Sequence, residues 1–98
     1  MKDMASECAA MASRYIGALA EALRGIGRRG VAPRVRPILE QAEDYLRDSR
    51  FYLERGEGAV ALASVAYAEG LLDALRLLGL VDFDWPGPKP GAGRGQAY

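Results

Sequence analysis

The chain has no histidine and one cysteine, Cys8, among its 98 residues. Those two shortages exclude histidine-based triads, Cys–His dyads, thiolate–imidazole zinc sites and any disulfide within the chain. Asparagine and threonine are missing as well, and the cations are eleven arginines against two lysines. That bias fits a GC-rich genome or a thermophile that avoids labile amides. Charge of one sign is also lacking: 13 Lys+Arg balance 13 Asp+Glu, so the chain carries no broad basic field of the kind a dedicated nucleic-acid binder uses. The N-terminus MKDMASE has acids where a secretory leader has a basic start and an apolar run. The longest uncharged helical stretch, Gly58 to Ala68, is well short of the ~20 residues that span a bilayer. The expectation is a cytoplasmic protein of one domain, because this length cannot bury two cores.

What remains is dominated by helical periodicity. Met4, Cys8, Met11, Tyr15, Leu19, Ala22 and Ile26 recur every three or four residues, with Ser6, Ser13, Arg14, Glu21 and Arg24 opposite. This predicts a first helix over about residues 3–24. The segment GIGRRGVAPRVRP then reads as a break. A second helix is predicted over 37–55, opening on Pro37. Its core face is Ile38, Ala42, Tyr45, Ser49 and Tyr52, widened by Leu39, Leu46 and Leu53. Glu40, Glu43, Asp44, Arg47, Arg50 and Glu54 fall outside, with Glu43 and Arg47 spaced as an ion pair. Gly56-Glu57-Gly58 suits a tight antiparallel turn into a third helix over 58–78. Val60, Ala63, Tyr67, Leu71, Ala74 and Leu78 are its expected core face. Gly79 stands where a left-handed C′ residue belongs, with Leu80 placed to touch Leu75. The architecture expected is an all-α antiparallel three-helix bundle over residues 1–81. A flexible Pro/Gly-rich tail, residues 82–98, would follow it.

The third helix is more apolar than a surface helix needs to be, since Glu69, Asp73 and Arg76 are its only charges. On a helical wheel Leu62, Val65 and Leu72 fall away from the expected core, so they are interface candidates for a second copy or a protein partner. The competing reading is that Phe83 and Trp85 fold back over them. Phe51, among charges on the second helix, is a further possible anchor. Gly70, with Ala63, Ala66 and Ala74 nearby, suggests close helix–helix approach. Tyr45, Tyr52 and Tyr67 need acceptors at the bundle edge, for which Asp48 and Asp73 are placed.

Two other chemistries are conceivable. Arg24, Arg28, Arg29, Arg34 and Arg36 share an acid-free loop whose guanidinium forks suit phosphate, which would make an RNA- or ribosome-associated accessory protein. Glu40, Glu43, Glu69 and Asp73 distantly resemble the paired acids of all-α nucleotide pyrophosphatases, an Mg²⁺-dependent hydrolase reading that requires all four to converge. No cofactor or small-molecule substrate is indicated. The leading expectation is a non-enzymatic interaction module.

One family resemblance is carried by Asp48-Ser49-Arg50-Phe51-Tyr52-Leu53-Glu54-Arg55-Gly56, by Tyr67-Ala68-Glu69-Gly70-Leu71-Leu72-Asp73-Ala74-Leu75, and by Leu78-Gly79-Leu80. Over roughly residues 37–81 the chain resembles the archaeal domain-of-unknown-function family 357. Asp48, Tyr52, Gly56, Tyr67, Gly70, Asp73, Ala74 and Gly79 are the motif residues, and Glu57 stands where the family usually has Asp. The resemblance implies a compact antiparallel helical bundle and an archaeal source, and it supplies no chemistry. A weaker likeness is to HEPN-type helical domains. Their ribonuclease branch needs an arginine–histidine motif, which a chain without histidine lacks.

Overall fold

A computed structural model describes residues 3–86. Three helices follow one another: α1, Met4–Arg29; α2, Arg36–Glu54; and α3, Gly58–Leu77; a single 3₁₀ turn, Pro33–Val35, leads into α2. Strands are absent among the described residues. The order is up, down, up. Gly58 lies against Ala9 at one end and Arg29 reaches Asp82 at the other, so α1 and α3 run parallel with α2 antiparallel to both. The all-α antiparallel three-helix bundle is therefore the fold of this chain.

The termini of these helices follow from local chemistry. The Asp3 carboxylate accepts the Ser6 backbone N–H at 2.7 Å, capping α1. That bond holds its carboxyl below the usual carboxylate value. At the end of α2, Gly56 has φ +80; its N–H donates to Leu53 and that of Glu57 to Tyr52. Gly79, at φ +75, repeats the arrangement after α3, where the Leu80 N–H donates to Leu75 at 2.9 Å and the Gly79 N–H to Arg76 at 3.0 Å. Both are Schellman stops, and any residue with a Cβ would be strained at the glycine.

Helix α1 is longer than the sequence suggests. It runs through Gly25 and Gly27 to Arg29 and stops at Gly30, φ +79. Glycine inside a helix costs only about 1 kcal/mol, whereas Ala22 and Ile26 are buried on this turn. Burying one side chain such as Ile26 returns ~1.5–3 kcal/mol. Tertiary packing outweighs the local preference.

The core combines Ile16, Leu19 and Ile26 of α1, Leu39, Ala42 and Leu46 of α2, and Val65, Ala68, Leu72 and Leu75 of α3. Ser49 is fully buried on the core face of α2, and its hydroxyl donates to the Tyr45 carbonyl at 2.8 Å. Hydrogen bonding inside its own helix removes the cost of burying that group. Outside, Arg47 pairs with Asp44 rather than with Glu43.

Two expectations are corrected here. Val81 and Phe83 belong to the core, and Trp85 is half-buried with its indole N–H donated to Asp73 at 2.9 Å. Residues 81–85 form an extended strap whose alternate side chains face the bundle. The folded unit therefore extends past residue 81, and a flexible tail does not start at 82. Residues 87–98 lie outside the described residues, as do Lys89 and Arg94. Second, the packed face of α3 is Ala61, Val65, Ala68, Leu72 and Leu75, about a third of a turn away from the expected Val60, Ala63, Tyr67, Leu71, Ala74 and Leu78, of which Leu71 does pack against the core.

Candidate interaction surface

Rotating α3 changes which of its residues meet water. Val65 and Leu72 are fully buried and Leu62 is half-buried against the core, so the three interface candidates are packing residues. In their place Ala59, Val60, Ala63, Ala66, Tyr67, Gly70, Ala74, Leu77 and Leu78 face solvent. Tyr67 is 51% exposed, Leu77 76% and Leu78 71%. No charged residue falls in this arc. At 100° per residue, Glu69, Asp73 and Arg76 share one flank, where Asp73 accepts from Arg76 and from Trp85 of the strap. A helix face turned to water in a globular protein is normally its charged one; here the arc opposite the core is uncharged along ~30 Å, and the exposed Arg76 stands on its flank.

The strip has internal relief. Ala59, Ala63, Ala66, Gly70, Ala74 and Leu77 succeed one another at steps of three or four, forming a shallow seam of small side chains that ends in leucine. Gly70 is exposed, and a Cβ built there would meet nothing within 4 Å. Its absent side chain makes no room for anything inside this chain, and it weakens α3 by about 1 kcal/mol relative to alanine. Close approach within the bundle occurs instead at Gly58, where a Cβ would stand 2.8 Å from the Ala9 backbone nitrogen. Along one edge of the strip Tyr67 packs on Tyr45 of α2, ring centroids 4.5 Å apart and inclined at 50°. Ile38 is also partly exposed on α2. The expected tyrosine acceptor Asp73 is taken by Trp85 and Arg76.

Phe51 is exposed on the outer face of α2, edge-on to Tyr52 at 5.4 Å and beneath the Arg55 guanidinium at 5.2 Å. By helical position it stands apart from the α3 strip.

The arginine segment is not an open loop. Arg24, Arg28 and Arg29 belong to α1, Arg34 to the 3₁₀ turn, and Arg36 is the first residue of α2. The side chain of Arg28 lies outside the described residues. Arg29 donates to the Asp82 carbonyl at 2.6 Å and pairs with its carboxylate at 3.3 Å. Arg36 lines a cavity of about 100 Å³ with Leu23, Ile26, Val31, Leu39, Glu40 and Glu43. That is below the ~300–1,000 Å³ of small-molecule sites. The four carboxylates do not form one group: Glu40 and Glu43 rim this cavity, while Asp73 holds Trp85. Among the described residues no cluster of three His, Cys, Asp or Glu side chains could hold a metal ion.

Helix α3 alone, among the described residues, is long and apolar enough to cross a membrane by length and composition. Its position between α1 and α2 accounts for the apolar character of its packed side, and the solvent arc accounts for the rest.

The motif residues fall into three groups. Gly56 and Gly79 stop helices, Tyr52, Tyr67 and Asp73 pack or bond at the bundle edge, and Asp48, Gly70 and Ala74 are exposed. Comparison with curated proteins finds no match, and comparison with solved structures finds none. A family model described as "Protein of unknown function (DUF357)" matches residues 14–81, which span most of α1, all of α2 and α3, and the first residue of the strap. With more than half of its length matched, the chain belongs to the DUF357 family.

Proposed function

We propose that this protein is a helical docking module that works by presenting the solvent face of α3 to another protein. The carrying observation is the uncharged arc from Ala59 to Leu78, with Tyr67, Leu77 and Leu78 more than half exposed. An apolar strip of this length on a soluble surface marks an interaction site. The helix beneath is fixed by a core on two sides, so the face is pre-organised and little ordering cost accompanies binding. Support for RNA contact is thinner. Arg29 is engaged by Asp82, and Arg36 shares its cavity with two glutamates.

The test is site-specific photo-crosslinking in extract of cells expressing the chain, with the reactive group at Ala63 on the strip or at Arg50 on the outer face of α2. Protein adducts should form from Ala63 well above the Arg50 background. Equal yields from the two positions would reject the docking role.

A further inference from the structure

We infer that the occupant of this face is a second copy of the same chain, packed two-fold and antiparallel along α3. This rests on the docking reading just given and commits it to one partner. Four observations carry it.

The strip tapers. Its N-terminal half presents Ala59, Ala63 and Ala66, while its C-terminal end presents Leu77 and Leu78. Placing a two-fold axis near residue 68 sets Leu77 of each copy over Ala59 of the other and Gly70 opposite Ala66. Large then meets small at both ends, and the smallest pair lies at the centre, where the helices cross. A parallel pair would stack Leu77 on Leu77 and gape along the alanines. Two-fold contacts require this self-complementarity.

Gly70 lies at the crossing point of that arrangement. Within the chain its missing Cβ serves no contact, because only open space surrounds it. Across the axis it admits the partner backbone closely, as small residues do wherever helices pack at short separation. The seam, at Ala59, Ala63, Ala66, Gly70, Ala74 and Leu77, advances by four, three, four, four and three residues, the spacing of one face of a helix.

Third, the strip leaves Val60 43%, Tyr67 51%, Leu77 76% and Leu78 71% exposed, an uncovered apolar surface that goes toward the ~800 Å² one side of a standard interface buries. Fourth, a two-fold contact buries each side chain of the face twice, so a charge on it would be desolvated twice over, and the arc from Ala59 to Leu78 opposite the core carries none. Among the described residues the strap does not cover this face, since it seats Trp85 on the Asp73 flank.

The experiment is sedimentation of the purified full chain over a wide concentration range, comparing wild type, Ala66→Glu, Gly70→Gln and an outer-face control, Arg50→Glu. Wild type and the control should show the same reversible monomer–dimer equilibrium, and both strip variants should weaken it roughly tenfold or more. Circular dichroism should show both strip variants fully helical, with Gly70→Gln unfolding later than wild type when monomeric. Orientation is read by mixing copies that carry Ala59→Cys or Leu77→Cys in a Cys8→Ala background. Disulfides should form between unlike copies, because like positions would be ~27 Å apart. A wild type monomeric throughout, folded strip variants that still dimerise, or like-to-like disulfides would each overturn the antiparallel pair. If the chain is monomeric yet Ala63 still yields adducts with another protein in extract, only the self-pairing is lost; if those adducts also vanish, the docking role falls with it.

Discussion

Replacing Gly58 with alanine adds a single methyl group where α1 and α3 touch. The new Cβ would stand 2.8 Å from the Ala9 nitrogen and 2.9 Å from its Cα, with the Ala9 Cβ at 3.1 Å. Ordinary contact begins near 3.5 Å, so the two helices must separate by several tenths of an ångström. The obstructing atoms are backbone, which no rotamer change can move aside. Overpacking of this kind costs ~1–3 kcal/mol. The better helix propensity of alanine offsets little of that at the first residue of a helix, where few intrahelical bonds are at stake. In a bundle of about 80 residues each kcal/mol shifts the midpoint by roughly 4–8 °C. Gly58→Ala should therefore lower Tm by about 5–20 °C in a circular-dichroism melt. Gly17→Ala is the internal control: it lies inside α1, nothing stands within 4 Å of its added Cβ, and it should gain up to about 1 kcal/mol. Adding Ala9→Gly to Gly58→Ala should not restore stability, since the Ala9 backbone remains in place. A Gly58→Ala protein as stable as wild type would refute the close-packing argument, and rescue by Ala9→Gly would relocate the clash to the side chain.

Further outcomes concern the two ends of the bundle. Asp3→Ala removes the α1 cap, and because the folded carboxyl is held below its ordinary value of 3.8, the difference from wild type should be full at neutral pH. It should shrink as pH falls below 3.8, where the unfolded chain's carboxyl protonates, and go on shrinking until the folded carboxyl, held lower, is protonated too; a difference that does not change as pH is lowered would contradict the charged cap. Phe83→Ala should cost roughly 3 kcal/mol, because it empties a core position filled by the strap. Trp85, the chain's one tryptophan, reports on this directly. Its fluorescence should change at the same midpoint as helical ellipticity, and an earlier fluorescence transition would mean that the strap detaches on its own.

How much of this was legible in sequence differs by element. Gly79 followed by Leu80 located the end of α3 because a left-handed stop has few chemical solutions, and the acids and arginines of α2 located its outer face. Two misreadings have physical causes. Gly25 and Gly27 look like breakers, yet an interior glycine weakens a helix by only about 1 kcal/mol, and burial of Ile26 overrides it. Helix α3 is apolar on nearly every side, so its periodicity carries no direction: Ala61-Val65-Ala68-Leu72 and Val60-Ala63-Tyr67-Ala74 are equally plausible inward faces. Packing against both α1 and α2 decides between them, and that is tertiary information. The interface candidates moved with it, from Val65 and Leu72 to Ala63, Ala66 and Leu77. The strap, by contrast, left a readable sign. Val81, Phe83 and Trp85 alternate with acids, the period of an extended segment lying on a core, before the Pro/Gly composition begins at Pro86.

An odd number of helices has a consequence for anything attached to this bundle. Asp3 enters at the end of the Gly56 turn, and the strap lies at the opposite end, where Asp82 meets Arg29 and Trp85 bonds Asp73, so the bundle acts as a spacer close to one helix long, ~39 Å for the 26 residues of α1. Cargo fused before residue 3 and cargo fused after residue 86 would be kept apart rather than brought together. In the two-fold antiparallel pair each end of the assembly would offer one entry point and one exit point, from different copies. Fluorophores on the two ends would then transfer energy between copies far better than within one, a geometry that makes the assembly itself the connector.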